Sequence, residues 1–487
     1  MSRRRPSHSG PPPTGRSRRA TSHRRPEDTV RSAAAWVVER TLASLAPAAS
    51  FLGPLLERFD ERDRGLLGEL VFGTLRWLRR LDHVIDRASR RRFADIEPAL
   101  LAPLRVATYQ ILFLDRVPAH AAVHEAVEQA HSLTHRGGAS FVNAVLRAIA
   151  RSPRLGAWPV EESDPVKRMS VEMSHPDFLV ERWTAVYGAE RTRALLAANN
   201  RPKPLQLLAF CDRGGRELLA ERLIDEGLEV EPSPLSLLGL TVRRGDPLAG
   251  EAFARGDFYV QDEASQAAAL IPPPSPGERV LDAAAAPGGK AFALIAREPS
   301  LVPVLADLAL ERLMRVRANL ARLGRRLPVV AADAVQPPFA CGPFAGGFDR
   351  VVLDLPCTGT GTLRKHPELK WRISPGEIGR LADQAGRMLA GVAPLVAADG
   401  YLAAITCSIE PEENERVVER FLERHPEFAP LPLAGVLAPA LEAAVEAPGR
   451  WRVLPGGDHD GFTANVLVRS GDAGTRRRGR AAAGRTD

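Results

Sequence analysis

The sequence predicts a multidomain chain: an N-terminal all-α bundle, a small α/β subdomain and a C-terminal α/β domain built on a parallel sheet. Three observations predict it. Up to about residue 151, apolar residues recur at three- and four-residue spacing, the period of a helix that buries one face. After residue 200, short strand-like runs enter. From Ala264 to Arg469 the order strand, loop, helix repeats, and that alternation makes a parallel sheet covered by helices on both faces. At 487 residues the chain has room for about three domains.

The helical part begins near Thr29. Ala35, Val38, Leu42 and Leu45 form one apolar stripe, and Leu67, Leu70, Val71 and Leu75 another. A bundle of six or so helices is expected over 31–152, with polar turns at 60–64 and 135–138 between helices. Residues 153–173 contain proline and mixed polarity and read as a linker. A further helical stretch starts at His175 and stops at the Asn-Asn-Arg-Pro break, 199–202. Strand at 205–210, helix at 213–226 and strand at 238–242 give a small α/β subdomain over 165–255. Residues 256–262 lead into the last domain, 256–470.

Composition narrows the class. Hydrophobic residues are 45% and charged residues 26%, which excludes a fibre, a coiled-coil rod and a wholly disordered chain. No run of about 18 apolar residues suggests a membrane span. Four cysteines without paired spacing exclude a disulfide scaffold and the common zinc modules, so no metal is expected and a reduced, cytoplasmic setting fits. The net charge is +7, carried by the ends: residues 1–30 hold +6 and 471–487 hold +3, leaving the middle slightly acidic. Both ends are expected to be disordered basic tails that add salt-sensitive attraction to phosphates, or that serve only solubility.

Chemistry is expected at the carboxyl ends of the last domain's strands, where such sheets bind ligands. Four apolar runs there end in Asp282, Asp307, Asp333 and Asp354. Residues 282–289 read Asp-Ala-Ala-Ala-Ala-Pro-Gly-Gly, followed by Lys290 and a helix. A Gly-Gly turn between strand and helix lets a ligand approach the backbone, yet it is neither GxxxxGK[ST] nor GxGxxG, which points away from ATP and NAD. Asp307 is placed to accept from ribose hydroxyls and Asp333 from an adenine amino group. Cys357 and Cys407 each follow a strand of this sheet; each is a candidate nucleophile or a packing residue. Cys211 and Cys341 read as small buried hydrophobes.

Residues 282–290 resemble the DxCAAPGGK signature of the S-adenosylmethionine-dependent RNA (cytosine-5) methyltransferases, 354–357 their DAPC motif and 406–408 their TCS motif. Thr358, Gly359, Thr360 and Gly361 extend the match, with Arg364, His366, Pro367 and Trp371, residues 411–415 (Pro-Glu-Glu-Asn-Glu) and residues 460–462 (Asp-Gly-Phe). Ala284, Ala291, Leu355 and Ala404 stand where the family has Cys, Thr, Ala and Tyr; none removes a bond-making group. Residues 73–76, Tyr109 and Gln110, 120–125 and 141–147 resemble a NusB-like RNA-binding domain. That pairing is the arrangement of the bacterial 16S rRNA methyltransferase B (Sun) family, and the resemblance runs from about 31 to 470.

The resemblance implies a Rossmann-like methyltransferase domain. It implies that Cys407 attacks cytosine C6, Cys357 assists release by removing the C5 proton, Asp354 stabilises the adduct and Lys290 supports the site. It implies an S-adenosylmethionine site made by Ala284, Ala285, Ala286, Pro287, Gly288, Gly289 and Lys290, with Asp307, Arg312, Asp333 and Asp354. The partner implied is small-subunit ribosomal RNA, bound by a monomer, with its target base unstacked to reach the pocket. Arg201, Arg364 and Lys365 are expected phosphate contacts. Two alternatives stand beside this: an antitermination-type RNA-binding factor with a vestigial methyltransferase fold, and the same chemistry on another RNA.

Overall fold

Seven helices build the N-terminal region of the computed structural model, which describes residues 29–44, 46–339 and 346–471. The expectations for most of both tails, Leu45 and Cys341 lie outside the described residues. The helices are α1 (Val30–Ala43), α2 (Ala48–Leu56), α3 (Glu61–Arg76), α4 (Leu78–Ala88), α5 (Pro98–Phe113), α6 (Ala119–Leu133) and α7 (Arg136–Ala150). Leu67, Leu70, Val71 and Leu75 are fully buried against Val37 and Val38, while Leu42 is half-buried. The segments expected as turns at 60–64 and 135–138 prove to be helix starts. Asp60 accepts from the Asp63 amide, and His135 Nδ1 from the amides of Gly137 and Gly138. Each side chain satisfies N–H groups that the first turn leaves free, so a polar cluster that looks like a break is a cap.

The expected linker also differs. Within it α8 (Pro165–Glu172) forms, with Asp164 accepting from Val166 N at 2.8 Å and Pro165 in the first turn, where its missing N–H costs nothing. Then come α9 (Asp177–Tyr187) and α10 (Ala189–Asn199). Met169, Leu179, Val180, Trp183 and Leu196 pack with Leu363, Ile373 and Ile409, so these helices share a core with the last domain.

A small α/β unit follows, its antiparallel sheet ordered β2 (Glu229–Pro232), β3 (Gly239–Arg244), β1 (Gln206–Ala209), β4 (Phe258–Val260). Leu207, Leu240 and Phe258 pack against Leu219 and Leu223 of the helix Gly215–Asp225. Phe258–Val260, expected to lead into the last domain, closes the edge of this sheet. Cys211 is exposed here rather than buried, at the start of a 3-10 turn.

The last domain carries a nine-stranded sheet among the described residues. Its centre is parallel, in the order β9 (Val396–Thr406), β8 (Phe348–Asp354), β5 (Arg279–Asp282), β6 (Val302–Asp307), β7 (Val329–Ala331). The expected parallel repeat stops at β9. Beyond it β13 (Phe462–Arg469) runs antiparallel, followed by β12 (Arg450–Val453) and β11 (Val445–Ala447), with β10 (Phe428–Pro430) also on β13. The helices Gly289–Arg297 and Leu310–Arg322 cover one face, and Pro375–Val392 and Glu415–Arg424 the other. The ends of β5, β6, β8 and β9 therefore meet along one edge.

One segment ties the three parts together. Lys370, fully buried, donates to Arg76 O (3.1 Å), Ser174 O (3.2 Å) and Asn200 Oδ1 (2.7 Å), and burial pushes its pKa well below the usual lysine value. Trp371 Nε1 donates to Leu75 O at 2.8 Å, and Arg372 to Thr41 O at 2.9 Å. Arg364 corrects an expectation: it is buried, and its guanidinium donates to the carbonyls of Pro202 (3.2 Å) and Gly457 (2.9 Å), so it braces the fold instead of facing phosphates. Arg201 and Lys365 are exposed.

Candidate active site

The four strand-end acids lie along that edge in different settings. Asp282 is completely buried at the end of β5; Oδ2 accepts from Ala291 N at 3.1 Å, and the Ala284 N–H also bonds the carboxyl. Burial, and then the charge of Asp354, push its pKa up to about 7 against the pull of Lys290. Asp307 accepts from Ala309 N (3.1 Å) and Ala286 N (3.2 Å), and Arg312 Nη2 sits 3.3 Å away. Arg312 also donates to Ala286 O at 2.9 Å, so Asp307 and Arg312 together hold both the N–H and the carbonyl of Ala286 in the loop that follows β5. Asp333 is exposed and accepts from Val335 N at 2.8 Å.

In the loop itself, Ala285, Ala286 and Gly288 are buried, Ala284 and Gly289 half-buried and Pro287 exposed. The glycines serve the chain's own packing. Gly288 has φ +117°, and a Cβ there would land on the Phe292 ring; a Cβ on Gly289 would come to 3.2 Å from Gln261 Nε2. Close backbone approach at this turn thus has a cause inside the fold.

The sulfur half is built from longer-range contacts. Cys357 and Cys407 follow β8 and β9, neighbours in the sheet, and their Sγ atoms are 3.4 Å apart. Leu355 N donates to Ile405 O at 2.8 Å and Gly361 N to Cys407 O at 2.9 Å, so the two turns run as a continued ladder. Lys290 Nζ is 3.0 Å from Asp354 Oδ2 and 5.1 Å from the centre of the Phe462 ring. Burial works against the lysine charge, but Asp354, then Cys407 and Asp282, outweigh it and hold its pKa above the usual lysine value. The hydrogen bond to Cys407, then burial, then the charges of Cys407, Glu413 and Asp354 raise the Cys357 thiol well above its ordinary value. Cys357 is therefore the sulfur held in its protonated form, 3.4 Å from a Cys407 sulfur that lies in the field of Lys290.

Three contributors carried no role at the level of sequence. Glu413 accepts from Thr358 N and Thr358 Oγ1, both at 2.8 Å. Asn414 accepts from Thr406 Oγ1 at 2.7 Å. Lys203 pairs with Asp262 and, at 2.9 Å, with Asp460, just before Phe462. The run Pro-Glu-Glu-Asn is visible after the second cysteine, but nothing in its spacing says that two of its side chains turn inward.

These groups fit an adenosyl ligand with an electrophilic methyl. Asp307 and Asp333 keep acceptor capacity for hydroxyl and amino hydrogens. Among the described residues no cluster of ligating side chains could hold a metal ion, and no helix is long and apolar enough to cross a membrane.

Comparison with known proteins converges on one family. Residues 269–467 match the family model for 16S rRNA methyltransferase RsmB/F, residues 32–151 the NusB family, and residues 175–248 the ferredoxin-like domain of RsmF/B-like methyltransferases. The ribosomal RNA small subunit methyltransferase B of Pseudomonas syringae is 36% identical over 90% of this chain and 96% of its own length. The probable counterpart from Bacillus subtilis is 34% identical over 81% and 88%. The crystal structure of PH0851 superposes with a TM-score of 0.73 at 26% identity, covering 90% of this chain and 98% of that one. A NusB-type bundle, a ferredoxin-like unit and a strand-end site suited to an adenosyl methyl donor thus occur here in one order, and the chain belongs to the 16S rRNA methyltransferase RsmB/F family, with S-adenosylmethionine as its cofactor.

Proposed function

We propose that this enzyme methylates C5 of a cytosine in small-subunit ribosomal RNA through a covalent bond between Cys407 and C6 of the base. The observation that carries the reading is the pair of sulfurs 3.4 Å apart, with the Lys290–Asp354 pair beside them. Cytosine C5 is a weak nucleophile. Adding a thiolate at C6 makes the ring enamine-like and places electron density on C5.

The charge distribution gives each group a job. Cys407, facing Lys290, attacks C6 through its sulfur as the thiolate nucleophile. Asp354, at the strand end, hydrogen-bonds the ring at N3 or its exocyclic amine and stabilises the adduct. S-adenosylmethionine supplies the electrophilic methyl group; the loop 284–290 with Asp307, Arg312 and Asp333 would hold it. Once Cys407 is bonded to C6, its sulfur no longer offers Cys357 the hydrogen bond that is the largest cause of that thiol's raised pKa. Cys357 releases its proton to solvent and takes the C5 proton in its place. The C5–H electron pair forms the C5=C6 bond, and the C6–S bond breaks to return Cys407 as thiolate. One proton is released per methyl transferred.

Residues 31–152 and 165–255 are assigned to RNA binding and 256–470 to catalysis, with Arg201 and Lys365 exposed for phosphates. The test is methylation of small-subunit RNA with labelled cofactor, followed by mapping of the base. A single 5-methylcytosine supports the reading; label on another base or another ring atom contradicts it.

A further inference from the structure

Residues 409–414, between Cys407 and the helix Glu415–Arg424, supply no group to the reaction steps above, yet they are densely bonded. Glu413 and Asn414 are each 1% exposed and adjacent in sequence; Asn414 holds the Cys407 loop alone, whereas Glu413 holds the Cys357 loop and also bonds Ser408 in the other. The Glu413 carboxylate takes Thr358 N on one oxygen and Thr358 Oγ1 on the other, a two-point grip on the residue after Cys357. The Asn414 amide accepts from Thr406 Oγ1 at 2.7 Å and donates to Ser408 O at 3.1 Å and Glu410 O at 3.0 Å, gripping the residues on either side of Cys407. Thr360 Oγ1 lies 3.1 Å from Ser408 Oγ and accepts from Ile409 N at 3.1 Å, closing the two loops on each other.

The turn is anchored from outside. Glu410 accepts from Trp183 Nε1 at 2.8 Å and from Arg182, and Ile409 O accepts from Tyr187 at 2.6 Å, all on α9. A bidentate carboxylate grip and an amide that uses both its donor and its acceptor allow little slack, because every misfit leaves a buried polar atom unpaired. Buried behind the loops, neither side chain is offered to substrate.

We propose that Glu413 and Asn414 are positioning residues that together set the separation of the two sulfurs, Glu413 by tying the Cys357 loop to Ser408 and Asn414 by fixing the Cys407 loop. The proposal rests on the two-thiol reading of the site. It makes the two residues differ in effect although they are neighbours. A displaced Cys407 fails to attack; a displaced Cys357 fails to release.

The test places Glu413→Ala and Asn414→Ala in the full-length enzyme. Displacement of about 1 Å costs about 100-fold in rate. Both variants are expected to lose about that in kcat, with cofactor affinity and KM for RNA unchanged. Glu413→Ala should accumulate a denaturation-resistant protein–RNA complex, and Asn414→Ala should form none. Thr358→Val and Thr406→Val, which delete single hydroxyl partners, should show the same split with smaller losses, and they replace the alanine variants if those do not fold. A second readout needs no RNA. Diamide takes two electrons and two protons from the thiol pair, forming the Cys357–Cys407 disulfide and the hydrazine, and mass spectrometry after alkylation follows the rate. Each variant should slow it at least tenfold.

Variants that bind cofactor and form the disulfide at the wild-type rate would overturn the proposal, as would equal loss of the covalent complex in both. If the wild-type enzyme makes no 5-methylcytosine, the functional reading fails by itself, and the disulfide rates still decide whether the turn sets the sulfur separation.

Discussion

The two halves of the active-site edge are built differently. On the β5–β6 half, Asp282 bonds the Ala291 amide in the first turn of the following helix, Asp307 bonds the Ala286 amide in the loop, and glycine at 288 lets that loop fold onto its own helix. The β8–β9 half depends on side chains about fifty residues apart: Cys357 with Cys407, and Thr358 with Glu413. The first half is a local turn that a short window of sequence specifies. The second is an assembly that forms only when strands, α9 and the segment after Cys357 are all in place. A ligand site can be written locally, whereas a pair of groups that must act on one ring from a fixed separation needs support from several parts of the chain.

Losses on the two halves should differ in kind. Cys407→Ala should remove methyl transfer by on the order of 10⁴-fold or more while leaving cofactor affinity intact, measured by label incorporation and calorimetry. Loss of cofactor binding in that variant would break the division between halves. The sulfur half extends outward through Lys370, whose three acceptors would be left buried and unpaired in Lys370→Ala. That change should cost about 3 kcal/mol of stability, read by denaturant unfolding. Asp307→Ala acts on the other half: it should weaken S-adenosylmethionine binding by about 1–3 kcal/mol with no change in the covalent step.

The smallest effect expected is in the pH dependence of stability. Asp282 has a folded pKa of about 7, above the ordinary carboxylate value of about 4. Between those values the folded protein holds a proton that the unfolded chain has lost. The contribution is therefore full below about pH 4 and is lost as pH rises to about 7. Glu413, also raised to about 7 chiefly by burial, titrates in the same direction. Asp282→Asn should flatten the fall of Tm over that window by a few degrees, and an unchanged profile would show that Asp282 is charged throughout.

How much of this could be read from sequence follows the same division. The strand-end acids were legible because a buried parallel strand is an apolar run and its end is where polarity returns. The helical bundle was legible from its period. The antiparallel strands from β10 to β13 were not, since a short strand looks alike in either direction. Asp60, His135 and Pro165 look like breaks but begin helices, because a cap and a turn use the same residues. Arg364 looked like a phosphate contact because an arginine's acceptors, here carbonyls more than 90 residues away, are invisible in sequence. The roles of Glu413 and Asn414 were hidden for the same reason.

The division of labour between the sulfurs is tested most directly by Cys357→Ala incubated with S-adenosylmethionine and small-subunit RNA, read on a denaturing gel. Attack and methyl transfer proceed in that variant, but the C5 proton stays and Cys407 cannot leave. A shifted protein–RNA band that requires both cofactor and RNA, and that vanishes in the double variant Cys357→Ala, Cys407→Ala, is the predicted result. A band in Cys407→Ala and none in Cys357→Ala would reverse the roles, and two active single variants with no band would contradict the thiol mechanism altogether.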